Sequence, residues 1–132
     1  MRILSHQTYP MATYSWIEQR NIMPSVESLS HLAEAGWQCM FLGNIADGQP
    51  PCDTPWRGVR YTMASIPDHS KLIRAYNPTV IVTNGHPLEY TEWVNEFPDA
   101  RWVFRLWGDF NQFRPAFPIL RKASLVITAM ES

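Results

Sequence analysis

The chain has 132 residues, the length of one domain, and 45% of them are hydrophobic, which is enough material for a core. Charged residues make up only 17% and the formal net charge is -1, so the sequence lacks the basic face with which proteins bind nucleic acid. No apolar run approaches the roughly 18 residues of a membrane span, and the amino-terminal residues lack the apolar stretch of a signal peptide. We therefore predict a cytoplasmic protein that has no transmembrane segment and does not bind nucleic acid.

In chain order, five short apolar runs rich in β-branched residues predict strands. The central runs are continuously apolar, which is typical of strands buried on both faces of a parallel sheet. A sixth, weaker run alternates in polarity and predicts an edge-like strand. The six runs span residues 2–4, 38–42, 58–62, 79–83, 102–106 and 125–128.

Helical patterns separate most of these runs. The clearest begins at Pro24, carries Val26, Leu29 and Leu32 on one apolar stripe, and stops at Gly36. The alternation predicts a single α/β domain over residues 1–132, Rossmann-like and three-layered, with a mostly parallel sheet of about six strands. The four predicted helices span residues 24–35, 68–76, 87–97 and 111–122, and the last is expected to be bent or broken by Pro115 and Pro118. Residues 7–21 have no clear period, and 43–57 is predicted to be a surface loop.

The two cysteines, Cys39 and Cys52, are predicted to be reduced thiols, one in a strand and one in a proline-rich loop. A disulfide between them is the alternative. The cysteines and histidines do not have the spacing of a metal site, so we predict neither a metal nor another cofactor.

Polar turns follow the carboxyl ends of the predicted strands, where ligands bind to open parallel sheets. Asparagine, glycine and aspartate are also ordinary turn residues, so each turn on its own has a structural explanation. The candidate site residues are His6, Asn84, Gly85, His86, Trp107, Gly108, Asp109 and Glu131.

Two of these residues are the catalytic candidates. His86 can donate to a sugar hydroxyl or phosphate oxygen, although capping of the following helix is the alternative. Asp109 can act as a base or accept from a hydroxyl, although it is also placed to be a helix N-cap. Trp107 can stack on the apolar face of a sugar ring. Arg105, inside an apolar strand, needs an ion-pair partner or a bound anion.

The sequence also lacks several strong motifs. It has no G-x-G-x-x-G after the first strand, no G-x-x-x-x-G-K-[ST] phosphate loop and no G-x-S-x-G nucleophile elbow. Dinucleotide binding, P-loop chemistry and α/β-hydrolase chemistry are therefore not predicted.

Several segments, in order, carry a family resemblance: the opening M-R-I-L, the L-A-E-A-G-W step before the second strand, and L-I-R-A-Y-N-P-T-V-I-V-T around the fourth. W-G-D at 107–109 and A-S-L-V-I-T-A-M-E-S at 123–132 complete the set. Together they resemble the N-terminal, acceptor-side half of retaining GT-B glycosyltransferases. The chain departs from that family by having no glycine between His6 and Asn21 and by having Trp107 where the family has histidine.

The resemblance implies a sugar acceptor bound at the strand ends and a nucleotide-sugar donor in contact with them. It also implies completion by a second Rossmann-like domain or by homo-oligomerisation, because the donor is held mainly by the other half in that family. The main alternative is a non-catalytic interaction or oligomerisation module of the same fold. A flavodoxin-like nucleotide binder is a further alternative, disfavoured by the missing phosphate loop.

Overall fold

The computed structural model describes residues 1–11, 24–108 and 110–129 and is α/β. The side chains of residues 11, 24, 25, 107, 110 and 129 are outside this description. Within the described residues the sheet has seven strands. They are β1 (Arg2–Met11), β2 (Gln38–Ile45), β3 (Cys52–Trp56), β4 (Val59–Ala64), β5 (Val80–Thr83), β6 (Arg101–Trp107) and β7 (Leu125–Ala129).

The strands lie in the order β3-β4-β2-β1-β5-β6-β7, and all neighbouring pairs are parallel except the antiparallel pair β3–β4. Without β3, this is the order of a doubly wound sheet, in which the chain works outward from β1 in one direction and then returns to continue in the other. The reversal falls between β1 and β5. The predicted mostly parallel α/β sheet is therefore confirmed.

Helices cover both faces of the sheet. The helix α1 (Pro24–Glu34) packs Val26 and Leu29 against one face, which we call the α1 face. On the opposite face lie α2 (Ile66–Tyr76), α3 (Thr91–Glu96) and α4 (Phe117–Leu120), whose apolar side chains join the larger of two buried clusters. Alternate residues of β1, β2, β4 and β5 feed the two clusters, which explains why the central strands are continuously apolar.

The number of strands corrects the sequence prediction. The segment predicted as a surface loop, 43–57, contains the end of β2 and all of β3, which pairs antiparallel with β4. Pro55 is tolerated because β3 lies at the edge of the sheet, where a missing N–H is least costly. The run predicted as edge-like becomes β4, an interior strand in which five of the six residues are buried.

The helix after β5 is less regular than predicted, whereas the helix after β6 is broken, as its prolines predicted. Residues Pro87–Tyr90 form a 3₁₀ helix before α3, and Phe110–Ala116 form a second one before α4. Pro115 and Pro118 account for the second case, because each removes a backbone donor from the predicted helix. Among the described residues, no helix is long and apolar enough to cross a membrane.

Both cysteines are free, as predicted, and both are buried, although Cys52 lies in β3 and not in a loop. They belong to the cluster on the α1 face, beside Phe41 and Tyr61. Burial raises the pKa of each thiol, so both are held in the protonated form that does not react as a nucleophile.

Candidate functional site

A bulge in β1 lies beside the reversal of strand order. His6 pairs with Leu42 of β2, but the next aligned pair is Pro10 with Asn44. Gln7, Thr8 and Tyr9 therefore stand opposite the single residue Gly43. The pairing of β1 with β5 also ends at His6, where β5 itself ends. Bulges of this kind redirect side chains beside functional sites, and this one stands next to the carboxyl end of β5.

The resulting cleft, which we call the switch-point crevice, has a volume of about 160 Å³. It is bordered by the ends of β1, β5 and β6 and by the 3₁₀ helix after β6. Its lining residues are Tyr9, Asn84, Gly85, His86, Arg105, Leu106, Gln112 and Phe113. The turn predicted from the sequence at 84–86 is thus one wall of a real concavity.

Asn84 is fixed in the crevice by four hydrogen bonds. Its backbone N–H donates to the His6 carbonyl at 2.8 Å, and its side-chain amide donates to Ser5 Oγ at 2.8 Å and to the same carbonyl at 3.1 Å. Its side-chain oxygen accepts from Arg105 Nη1 at 3.3 Å. Arg105 is half-buried, and this contact holds its guanidinium at the crevice wall, where it provides a fixed positive charge.

His86 caps the 3₁₀ helix that follows β5. Its Nδ1 accepts from the backbone N–H of Leu88 at 3.2 Å, and its ring contacts Phe113 with centroids 5.3 Å apart. The capping interpretation of this residue is therefore correct. Because Nδ1 must be an acceptor, the neutral ring carries its proton on Nε2, which makes Nε2 a hydrogen-bond donor to anything in the crevice.

Two buried histidines lie beneath the crevice. His6 Nε2 is 2.7 Å from His69 Nδ1, and His6 Nδ1 is 3.0 Å from the Tyr90 hydroxyl. The other ring nitrogen of His69, Nε2, lies 2.8 Å from the Ala64 carbonyl oxygen. Both histidines have no solvent exposure, and the ring of Trp93 packs against both. We call His6 and His69 the histidine pair.

Burial lowers the pKa of His6 well below 6.5, and the neighbouring His69 lowers it further. Burial also lowers the pKa of His69, but hydrogen bonds to the Ala64 and Gly43 carbonyls and the charge of Asp68 oppose that shift. For Tyr90, burial raises the pKa far above its usual range. All three groups are therefore neutral near pH 7. The nitrogen–nitrogen distance of 2.7 Å is that of a hydrogen bond, and is too short for two tetrahedral zinc ligands about 2.0–2.1 Å from an ion.

Gly85 connects the crevice to these buried groups. A side chain at this position would collide with Thr8 Oγ1 and would approach the Tyr90 ring and hydroxyl to 3.2 Å. A hydrogen bond from the Thr8 hydroxyl lowers the pKa of Tyr90 slightly against the effect of burial. Thr8 is half-buried beside Gly85, which lines the crevice, so it joins this side of the fold to Tyr90 and, through Tyr90, to His6.

The other predicted site residues have different positions. His6, predicted to contact a ligand, is fully buried below the crevice with both ring nitrogens engaged. Gly108 follows β6 with φ of 96°, a conformation that favours glycine, and a Cβ there would lie 2.7 Å from Gln112 Nε2. The side chain of Trp107, together with Asp109 and Glu131, lies outside the described residues.

The sequence analysis did not identify His69 or Tyr90. Each lies four residues before a buried aliphatic residue of a helical segment, His69 before Ile73 and Tyr90 before Val94. A histidine in phase with the apolar stripe of a short helix was the signal that could have revealed the pair. In the described parts of the chain, no cluster of three or more His, Cys, Asp or Glu is placed to hold a metal ion.

Comparison with family models, with curated protein sequences and with solved structures finds no match to this chain. The crevice must therefore be interpreted from its own geometry. Its position between β1 and β5 is where open α/β sheets bind ligands, and its lining combines a guanidinium, two amide side chains, an imidazole donor and aromatic rings.

Proposed function

We propose that the chain is a glycosyltransferase-like, Rossmann-like domain that holds a sugar acceptor in the switch-point crevice and contacts a nucleotide-sugar donor there. The observation that carries this proposal is the location of the crevice at the reversal of strand order, lined by Asn84, Gly85 and His86. A sugar presents hydroxyl groups that both donate and accept, together with apolar C–H faces. The crevice offers partners for both kinds of surface.

The polar partners are positioned before any ligand arrives. Arg105 is held by Asn84, and His86 is held by the Leu88 backbone, so both can donate to a hydroxyl or phosphate oxygen at little cost in side-chain entropy. Phe113 and the exposed Tyr9 supply apolar ring surface. Asp109 stays the proposed base, and Trp107, Gly108 and Glu131 stay proposed acceptor contacts.

The small volume of the crevice favours a site that is completed by a second domain or chain. Its volume of about 160 Å³ is below the roughly 300–1,000 Å³ of most small-molecule sites. A sugar bound there would be covered on one side only. A second Rossmann-like domain or a partner chain that closes over the strand ends would supply the rest of the site and the main donor contacts.

Replacing Arg105 with methionine is expected to weaken binding of a sugar acceptor about tenfold, the effect of losing one charge-assisted hydrogen bond of about 1.4 kcal/mol. The measurement is a titration of the chain with a panel of methyl glycosides, followed by amide NMR shifts of residues 84–86. Arg101→Met is the matched control, because Arg101 lies on the same strand, exposed at its other end.

The binding proposal fails if no glycoside shifts the signals of residues 84–86, or if both arginine variants bind equally well. The catalytic part has its own test. The chain is incubated with nucleotide sugars and glycosides, alone and with the natural protein that co-purifies with it. Absence of both sugar transfer and nucleotide-sugar hydrolysis would remove the enzyme from the proposal and leave a binding domain.

A second candidate function, an oligomerisation module, is favoured by the surface of β7. Leu125 and Ile127 are 53% and 45% exposed on the α1 face, and the strand Leu125–Ala129 contains no charged residue. An exposed apolar strand at the end of a sheet is a common site of association between chains.

If this face associates, Ile127→Lys is expected to convert the chain to a monomer in sedimentation velocity while changing the free energy of unfolding by about 0.5 kcal/mol or less. Thr128→Lys is the control, since Thr128 is exposed on the same strand but points to the opposite face. A wild-type chain that is monomeric at high concentration would exclude the oligomerisation module.

A further inference from the structure

The histidine pair has a single possible hydrogen-bond direction when both rings are neutral. The Ala64 carbonyl can only accept, so His69 Nε2 carries a proton and His69 Nδ1 is an acceptor. His6 Nε2 must then donate to His69 Nδ1, which leaves His6 Nδ1 to accept from the Tyr90 hydroxyl. Tyr90 in turn accepts from the Thr8 hydroxyl.

The same atoms can hold one extra proton on either His6 or His69 with every partner kept, and storing it on His69 changes the tautomer of His6. Besides His6 Nδ1, the Tyr90 hydroxyl faces the His6 carbonyl oxygen at 3.4 Å. If Tyr90 donates to that carbonyl, His6 Nδ1 can donate to Tyr90, and His6 Nε2 becomes an acceptor. His69 Nδ1 can then carry a proton and donate to His6 Nε2. This arrangement contains one proton more than the first, and every polar atom in it keeps a partner.

The surroundings favour His69 as the place for that extra proton. The carbonyls of Ala64 and Gly43 and the carboxylate of Asp68 all stabilise a charged His69. His6 has no comparable support, because its neighbours from the other packed elements are Leu42, Thr83 and Trp93. Burial, reinforced by Glu89 and Tyr9, raises the pKa of Tyr90 far above its usual range, so the phenol stays protonated in both arrangements.

We propose that Thr8, Tyr90, His6 and His69 form a proton relay whose hydrogen bonds can point in either direction. In this relay an added proton is stored on His69, while His6 stays neutral and changes tautomer. A proton from water enters through the Thr8 hydroxyl, which passes its own proton to Tyr90. Tyr90 passes its former hydroxyl proton to His6 Nδ1, and His6 releases its Nε2 proton to His69 Nδ1. The net change is one positive charge on His69, and no other reactant is needed.

The relay links the solvent side of the switch-point crevice to a buried proton store. It does not depend on the proposed sugar acceptor, because it is built from protein groups alone. When His69 takes up the added proton, the hydroxyl proton of Tyr90 turns from His6 Nδ1 to the His6 carbonyl. This is the change that the relay makes beside the crevice.

The test is a series of long-range ¹H–¹⁵N spectra of the histidine rings, recorded on the ¹⁵N-labelled chain from pH 8 to the onset of acid unfolding. The signals of His31 and His86 are assigned by their loss in His31→Gln and His86→Gln. At pH 8 we expect His6 and His69 both to be protonated on Nε2. On acidification we expect His69 to become doubly protonated while the proton of His6 moves to Nδ1.

Three results would overturn the relay: a His6 that stays protonated on Nε2 as His69 titrates, a His6 that becomes charged first, or a His69 that never titrates in the folded chain. Tyr90→Phe supplies an independent check, since it removes the hydroxyl that passes protons between Thr8 and His6. In that variant the ring protons of His6 and His69 should exchange with water more slowly than in the unaltered chain. Tyr61→Phe, at a buried tyrosine on the opposite face of the sheet, should leave the exchange rate unchanged.

Discussion

Replacing His6 with leucine is expected to lower the free energy of unfolding by about 2–4 kcal/mol, because the change leaves buried polar groups without partners. His69 Nδ1 would lose the donor that lies 2.7 Å away, and the Tyr90 hydroxyl would lose its acceptor at 3.0 Å. Edge-on ring contacts with His69, Tyr90 and Trp93 would be lost as well. Such a loss is a large share of the roughly 5–15 kcal/mol that stabilises a typical domain.

The measurement is urea unfolding at pH 8, where the histidine pair is neutral. His31→Leu is the matched control: this histidine is exposed on α1, and its replacement should change the free energy of unfolding by about 0.5 kcal/mol or less. A double-mutant cycle with His69→Leu then isolates the coupling between the two rings. Equal, small effects of His6→Leu and His31→Leu would mean that the buried network contributes nothing to stability.

A second large effect is expected from acid. The pKa of His6 and that of His69 are both lower in the folded chain than the usual 6.5. Below that pH the unfolded chain binds protons that the folded chain does not, so the stabilising contribution is complete above about pH 6.5 and is lost as the pH falls. Linkage gives a loss of about 2 kcal/mol from His6 alone between pH 7.5 and pH 5, with a smaller share from His69.

Urea unfolding at constant ionic strength across this range checks the prediction, and His6→Leu should remove the larger part of the pH dependence. Carboxylates change the free energy of unfolding in a different pH range. The Arg60 guanidinium lowers the pKa of Asp53 below its usual 3.8, so that ion pair is weakened only in stronger acid, below about pH 4. A flat stability profile between pH 7.5 and pH 5 would contradict the buried, neutral state of the histidine pair.

The parts of the fold that the sequence predicted correctly are those governed by local pattern. Continuous apolar runs identified the parallel strands, and the stripe through Val26 and Leu29 identified α1, because burial of these residues follows directly from their periodicity. The strand β3 was missed since its pairing with β4 is tertiary, and since Pro55 and the two prolines just before the strand are typical of loops. The break in the helix after β6 was predicted, because Pro115 acts through the local backbone.

The site was predicted in part, for a similar reason. Asn84, Gly85 and His86 follow a recognisable strand, so their place at the crevice could be read from the chain. The partners of His6 could not be predicted in this way, because His69 and Tyr90 come from two different helical segments, 63 and 84 residues away. Only the folding of α2 and the 3₁₀ helix onto the same face of β1 brings them together.

The bulge in β1 also limits which length changes this edge of the sheet can tolerate. From His6 to Pro10 the strand advances by four residues while its partner β2 advances by two, from Leu42 to Asn44. Both steps are even, so side chains beyond the bulge keep the inward and outward alternation that they have before it. Loss of two residues from Gln7–Tyr9 would preserve that parity while removing the bulge from the pairing of β1 with β2. Loss of one would instead reverse the orientation of every side chain between the deletion and Met11.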